Sequence, residues 1–135
     1  MRQTTIVVVE SDPSVRHLFD EVLHDEGYRV RLLEPRALCP SRLAAAAPDL
    51  VLLEITPATT PEVLALVGLL RRRPDTAQLP VLLSSTDHRL LEQRATELCR
   101  LGCDPLHKPF GLDDLLDVVS ANLRRAAPAA AACAL

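Results

Sequence analysis

The sequence predicts a three-layer α/β sandwich, with five parallel strands in one sheet and helices on both of its faces. Two observations carry this. The first is Asp49-Leu50-Val51-Leu52-Leu53-Glu54, an apolar run without alternation. Such a run reads as a strand buried on both faces, hence a central strand of a parallel sheet. The second is the order of the chain: strand then helix, five times over. Right-handed crossovers then give a doubly wound, flavodoxin-like sheet of strand order 2-1-3-4-5.

The elements follow in turn. Thr4 to Val9 is a β-branched run and makes the first strand. Asp12 is a good N-cap and Pro13 a good first helical residue. Val15, Leu18, Phe19, Val22 and Leu23 form the apolar stripe of the helix that follows, with His17 and His24 on its wet side. Gly27 ends it in the left-handed region. Tyr28 to Leu33 alternates like an edge strand. Pro35 and Pro40 interrupt the next segment, leaving a short helix over Ser41 to Ala47.

After the central strand, Pro61 and Glu62 open a helix through Arg73, with Val63, Leu66, Val67 and Leu70 facing inward. Arg71, Arg72 and Arg73 complement its C-terminal dipole as a solvated end. Leu79 to Ser84 is the fourth strand. Asp87 caps a helix to about Leu101, with Leu91, Ala95 and Leu98 inward and Gly102 as terminator. Cys103 to His107 is the fifth strand. The last helix runs from about Leu112 to Arg125, burying Leu112, Leu115, Leu116, Val119 and Leu123. Residues 126–135 form an Ala-rich tail, expected to fray.

Composition narrows the function. The 135 residues suffice for one domain with its own core. They are 48% hydrophobic and 24% charged with a net charge of −3, which gives no basic surplus for nucleic acid. No apolar run approaches the ~18 residues of a membrane span, and the chain enters its first strand without a leader, so a cytoplasmic protein is expected. Phe19, Tyr28 and Phe110 are the only aromatics, too few to sandwich a flavin. Cys39, Cys99, Cys103 and Cys133 have neither zinc-finger nor redox spacing and read as reduced, mostly buried thiols. Cys99, Cys103 and His107 are evenly spaced but straddle a helix end and a strand, so they would not share a face.

In a doubly wound sheet, ligands lie beyond the carboxyl ends of the strands. Glu10 and Ser11 follow the first strand, Glu54 ends the third, Ser85 ends the fourth and Lys108 follows the fifth. Polar groups far apart in the chain thus converge on one pocket.

Several segments here resemble a response-regulator receiver domain, the phospho-accepting half of two-component signalling. They are the acidic cluster leading into Asp12-Pro13-Ser14-Val15-Arg16, the run Pro48-Asp49-Leu50-Val51-Leu52-Leu53, Leu79-Pro80-Val81, Gly102 to Asp104, and Lys108-Pro109-Phe110. The resemblance covers residues Thr4 to Leu123, so residues 1–125 are expected to be the receiver domain. It implies that Glu10, Ser11 and Asp12 stand in the acidic pocket that holds Mg²⁺ in the family. It places Glu54 at the phospho-acceptor position, Ser85 at the switch hydroxyl, Lys108 at the phosphate-pairing lysine and Pro109 after a cis bond. Pro105 falls where the family carries its aromatic switch, with one residue missing nearby. The loop after Glu54 lacks the family's usual glycine.

The departures fall on the chemistry. Phosphoryl transfer needs an in-line carboxylate and a cation to neutralise oxygen charge. Glu54 is a methylene longer than aspartate, and a misplacement of ~1 Å costs about a hundredfold. Ser11 removes a ligand charge that Mg²⁺ wants. Without a competing cation, Glu54 should bond Lys108 directly.

The expected function is a stand-alone, atypical receiver, a pseudo-receiver acting by protein interaction rather than catalysis, with no cofactor and no metal. Its partner would be a histidine kinase, a scaffold or another regulator, and it would dock or dimerise through the face of helix 4, strand 5 and helix 5. No nucleic acid or membrane is expected to take part. The alternative is a Mg²⁺-dependent phospho-acceptor using Glu54 or Asp12. A flavodoxin-like electron carrier is disfavoured by the missing Gly-rich loop and aromatic pair.

Overall fold

The computed structural model describes residues 2–126. Its sheet has five parallel strands, β1 (Thr5–Val9), β2 (Arg29–Leu32), β3 (Leu50–Glu54), β4 (Val81–Ser85) and β5 (Cys103–His107), in the order β2-β1-β3-β4-β5. The helices are α1 (Pro13–Asp25), α2 (Pro40–Ala46), α3 (Thr60–Arg72), α4 (His88–Gln93), α5 (Ala95–Arg100) and α6 (Leu112–Ala126). A single 3-10 turn, Pro35–Ala37, precedes α2. Among the described residues, no helix is long and apolar enough to cross a membrane.

Alternate residues of the central strands feed two cores. Val7, Val9, Val51, Leu53, Val81 and Leu83 face α2, α3, α4 and α5, meeting Leu43, Val63, Leu70, Leu91 and Leu98. Ile6, Val8, Leu50, Leu52 and Leu82 face α1 and α6, meeting Phe19, Leu23, Leu115 and Val119. Burial on both faces explains the absence of alternation in β1, β3 and β4. The register sets Val9 beside Leu53 and Glu54 beside Ser84, which brings the ends of β1, β3 and β4 to one level.

The ends of α1 follow sequence chemistry. Asp12 accepts hydrogen bonds from the Ser14 and Val15 N–H groups at 2.9 and 3.4 Å, with Pro13 at the first helical position. Gly27 has φ +93°, which favours glycine after a helix.

Several expectations are corrected. Leu18 and Leu112 are 38% and 49% exposed, because each lies at the margin of its helix's stripe. The helix expected from Asp87 to Leu101 is interrupted at Arg94 (φ −99°, ψ 6°), giving α4 and α5. Bonds from Arg94 N to Leu90 O and Leu98 N to Arg94 O span the interruption, so the helical path continues with its phase displaced. Leu90, Leu91 and Leu98 are therefore buried and Ala95 is exposed. Because of the split, the helix counted fifth from the sequence is α6. The short helix begins at Pro40 and closes on Ala47, whose φ of 48° is left-handed. Cys103 is buried, Cys39 half-buried and Cys99 exposed, all three free, and Cys133 lies outside the described residues. The Ala-rich tail beyond Ala126 likewise lies outside them.

Arg71 is the largest correction. Its guanidinium is no solvated helix end. It donates to the carbonyls of Leu79 (2.6 Å), Leu101 (2.7 Å), Gly102 (3.2 Å), Ala77 (3.3 Å) and Thr76 (3.4 Å), joining the end of α3 to the entries of β4 and β5. Arg72 remains exposed, and Arg73 pairs with Asp75.

Candidate functional site

The pocket forms where β1 and β3 end side by side and the chain leaves β5 beyond them. Glu10 follows β1 directly and is fully buried, with 0% of its surface exposed. Glu54 is the last residue of β3 and half-buried. Lys108, the only lysine of the sequence, enters from the β5–α6 loop and is 7% exposed. That loop is anchored by the Phe110 ring, stacked on Phe19 of α1 at 5.4 Å between centroids, and the Lys108–Pro109 peptide is cis.

Lys108 Nζ bridges the two acids, donating to Glu10 Oε1 at 2.6 Å and Glu54 Oε2 at 3.1 Å. The remaining oxygens are also engaged. Ser11 Oγ donates to Glu54 Oε1 at 2.6 Å and the Ser11 N–H reaches the same oxygen at 3.3 Å. The Asp12 N–H donates to Glu10 Oε2 at 3.1 Å. All four carboxylate oxygens therefore accept from protein donors, satisfying groups that burial would otherwise make costly.

Electrostatics divide the two acids. Burial raises the Glu10 carboxyl above its ordinary value, helped by the neighbouring Glu54 and opposed by Lys108 and the Asp12 N–H. Burial acts on Glu54 in the same sense, but bonding to Glu10, Ser11 and Lys108 outweighs it and holds that carboxyl at about 2. The two are strongly interacting sites and titrate as a pair.

Three residues named from sequence do not point into this network. The Asp12 carboxylate caps α1, and only its backbone N–H serves the pocket. Ser85 is buried, but its hydroxyl accepts from the Asp87 N–H at 3.0 Å. Pro105 is exposed on β5, an edge strand, where a missing N–H is tolerated. Beyond Glu54, hydroxyls hold the turn. The Thr56 N–H donates to Thr59 Oγ1 at 3.0 Å, and Thr60 Oγ1 donates to Thr56 O at 2.7 Å. Sequence reading also missed His88, whose Nε2 lies 2.9 Å from the Lys108 carbonyl oxygen. Nothing in the spacing of His88 announced that contact.

A divalent cation fits this set of residues poorly. A hard cation demands several free oxygen ligands. Here the ammonium of Lys108 already lies between the carboxylates, Ser11 brings no charge, and Asp12 is turned to the helix. Among the described residues, no cluster of three or more His, Cys, Asp or Glu side chains could hold a metal.

A doubly wound parallel sheet of this order is the fold of solved chemotaxis response regulators. The chain is a response-regulator receiver domain. It is 32% identical over 124 residues to the phosphate regulon transcriptional regulatory protein PhoB of Rhizobium meliloti, covering 91% of this chain and 53% of that protein. It is 29% identical over 124 residues to the DNA-binding transcriptional regulator NtrC of the same organism, covering 91% of this chain and 25% of NtrC. The chain thus spans about half of the first relative's length and a quarter of the second's. The chemotaxis response regulator CheY4 of Vibrio cholerae shares the fold, with a TM-score of 0.75 at 21% identity over 90% of this chain and 99% of that one. No protein-family model matches the chain.

Proposed function

We propose that this receiver domain is atypical: a pseudo-receiver that signals by protein interaction, without being phosphorylated and without catalysis of its own. One observation carries the reading. Lys108 is bonded at once to Glu10 and Glu54, so the groups that would meet a phosphoryl donor are consumed by one another. Glu54 stands at the acceptor position with both oxygens engaged, and its low pKa keeps it paired across the physiological range.

On this reading the domain acts as an interaction module whose partner is a histidine kinase, a scaffold or another regulator. The docking surface proposed is the α4–β5–α6 face, which would also serve a homodimer. Ser85 tied to Asp87 holds the β4–α4 turn in one arrangement, as a constitutive surface requires.

The test is an amide NMR titration with low-millimolar Mg²⁺, then beryllofluoride, then a small acyl phosphate. Resonances of Glu10, Glu54, Ser85 and Lys108 should remain still throughout. Stepwise shifts with Mg²⁺ and then beryllofluoride would show a working phospho-acceptor and overturn the proposal.

A further inference from the structure

The pocket reaches the start of α4 by two routes. One runs through the β4–α4 turn: the Lys108 N–H donates to Ser85 O at 2.9 Å, Ser85 Oγ accepts from the Asp87 N–H, and Asp87 Oδ1 caps Leu90 N at 3.0 Å. The other is a side chain, His88, at the first position of α4. Its Nε2 lies 2.9 Å from Lys108 O. A carbonyl oxygen only accepts, so Nε2 carries the hydrogen and donates it. The His107 ring packs edge-on against His88, with centroids 4.8 Å apart and planes at 86°.

α4 depends on these ties. It spans six residues and buries only Leu90 and Leu91. A helix so short has little stability of its own and is placed by its contacts. Lys108 is held at both ends: its ammonium by Glu10 and Glu54, its carbonyl by His88. Pro109 follows and stiffens the chain. The group that bonds the Lys108 carbonyl is the His88 imidazole.

We infer that His88 is a positioning residue that conveys the arrangement of Lys108 to α4, with His107 holding its ring in place. This rests on the internally paired pocket proposed above, and it assigns the route by which that pocket sets the α4–β5 face. Coupling of this kind is demonstrated only when a change at one end is felt at the other and lost on removing the link.

The experiment is a mutant cycle on the full chain read by amide NMR. Glu54→Gln removes a charge beside Lys108 Nζ. It should shift amides at Ser11 and Lys108, and also those of α4. In a His88→Ala background, the same change should still shift the pocket amides but shift α4 markedly less, by the Ser85–Asp87 route alone. His88→Gln, which restores an N–H donor, should restore the α4 response. Equal α4 shifts with and without His88, or no recovery with His88→Gln, overturn the inference and leave the paired pocket standing. If Glu54→Gln moves no pocket amide, the pairing itself falls and the inference with it.

Discussion

Lys108→Met is the sharpest perturbation of the pocket, because it keeps most of the side chain's length and apolar stem while deleting the ammonium. Two carboxylates then face each other, one of them fully buried. Removing one partner of a buried pair costs about 3–5 kcal/mol when the charge left behind has no relief. Here relief exists, since Glu10 can take a proton. From an ordinary value of 4.5, protonating one carboxyl at pH 7 costs about 3 kcal/mol at about 1.4 kcal/mol per pH unit. That figure caps the loss, provided the neutral carboxyl bonds Glu54 in place of the lysine. At pH 5 the same cap is below about 1 kcal/mol. The sign is fixed by linkage. Glu10 in the variant has a folded pKa raised above its unfolded one, so stability is retained below about pH 4.5 and lost as the pH rises toward the folded value. Urea unfolding at pH 5 and pH 7, beside wild type, reads the difference. A loss that is the same at both pH values, or smaller than about 1 kcal/mol at pH 7, would show that Lys108 is not neutralising buried acids.

The acid limb tests Glu54. Its folded value of about 2 lies below the ordinary 4.5, so its contribution is present above pH 4.5 and lost as the pH falls toward 2. Wild type should exceed Glu54→Gln by up to about 3 kcal/mol at neutral pH. Glu10, shifted the other way, reduces that margin, and the gap should close in acid-unfolding curves below pH 4.5. Arg71→Ala leaves five carbonyl acceptors without their shared donor and should cost about 2–3 kcal/mol in denaturant melts. Arg71→Lys should recover less than half, because an ammonium cannot reproduce the planar fork. Gly27→Ala forces a Cβ into φ +93° and should cost about 1–2 kcal/mol despite open space around it, read by the same melts. Asp12→Ala should cost about 1 kcal/mol through the lost α1 cap without moving the amides of Glu54 or Lys108.

What was legible in the sequence follows from how many residues carried each signal. The sheet order came from whole runs such as Ile6–Val9 and Leu50–Leu53, where every residue is buried. Pocket membership was legible for Glu10, Ser11, Glu54 and Lys108 because strand ends fix position in a doubly wound sheet. Direction within the pocket was not. Whether the Ser85 hydroxyl turns to Lys108 or to Asp87 depends on one rotamer, and the local turn won. Arg71 was misread for a related reason. The dipole argument places a cation at the end of α3, but the carbonyls it gathers belong to segments up to thirty-one residues away. The Arg94 interruption moved Ala95 outward with no Gly or Pro to signal it.

Glu54 and Ser11 are best understood as one unit rather than two. Glu10, Glu54 and Lys108 together leave one negative charge in excess. An acid at position 11 would add another beside a fully buried carboxylate, and only a cation could then balance the site. Ser11 instead brings a neutral donor, spent on Glu54 Oε1 at 2.6 Å. The added methylene of glutamate gives reach, so that one oxygen bonds Ser11 while the other bonds Lys108. With aspartate at 54 the carboxylate would be a methylene shorter and the bridge to Lys108 would lengthen. With aspartate at 11 the hydroxyl donor would be lost. Each residue suits the other, and together with Lys108 they satisfy the Glu54 carboxylate with donors that the chain already carries.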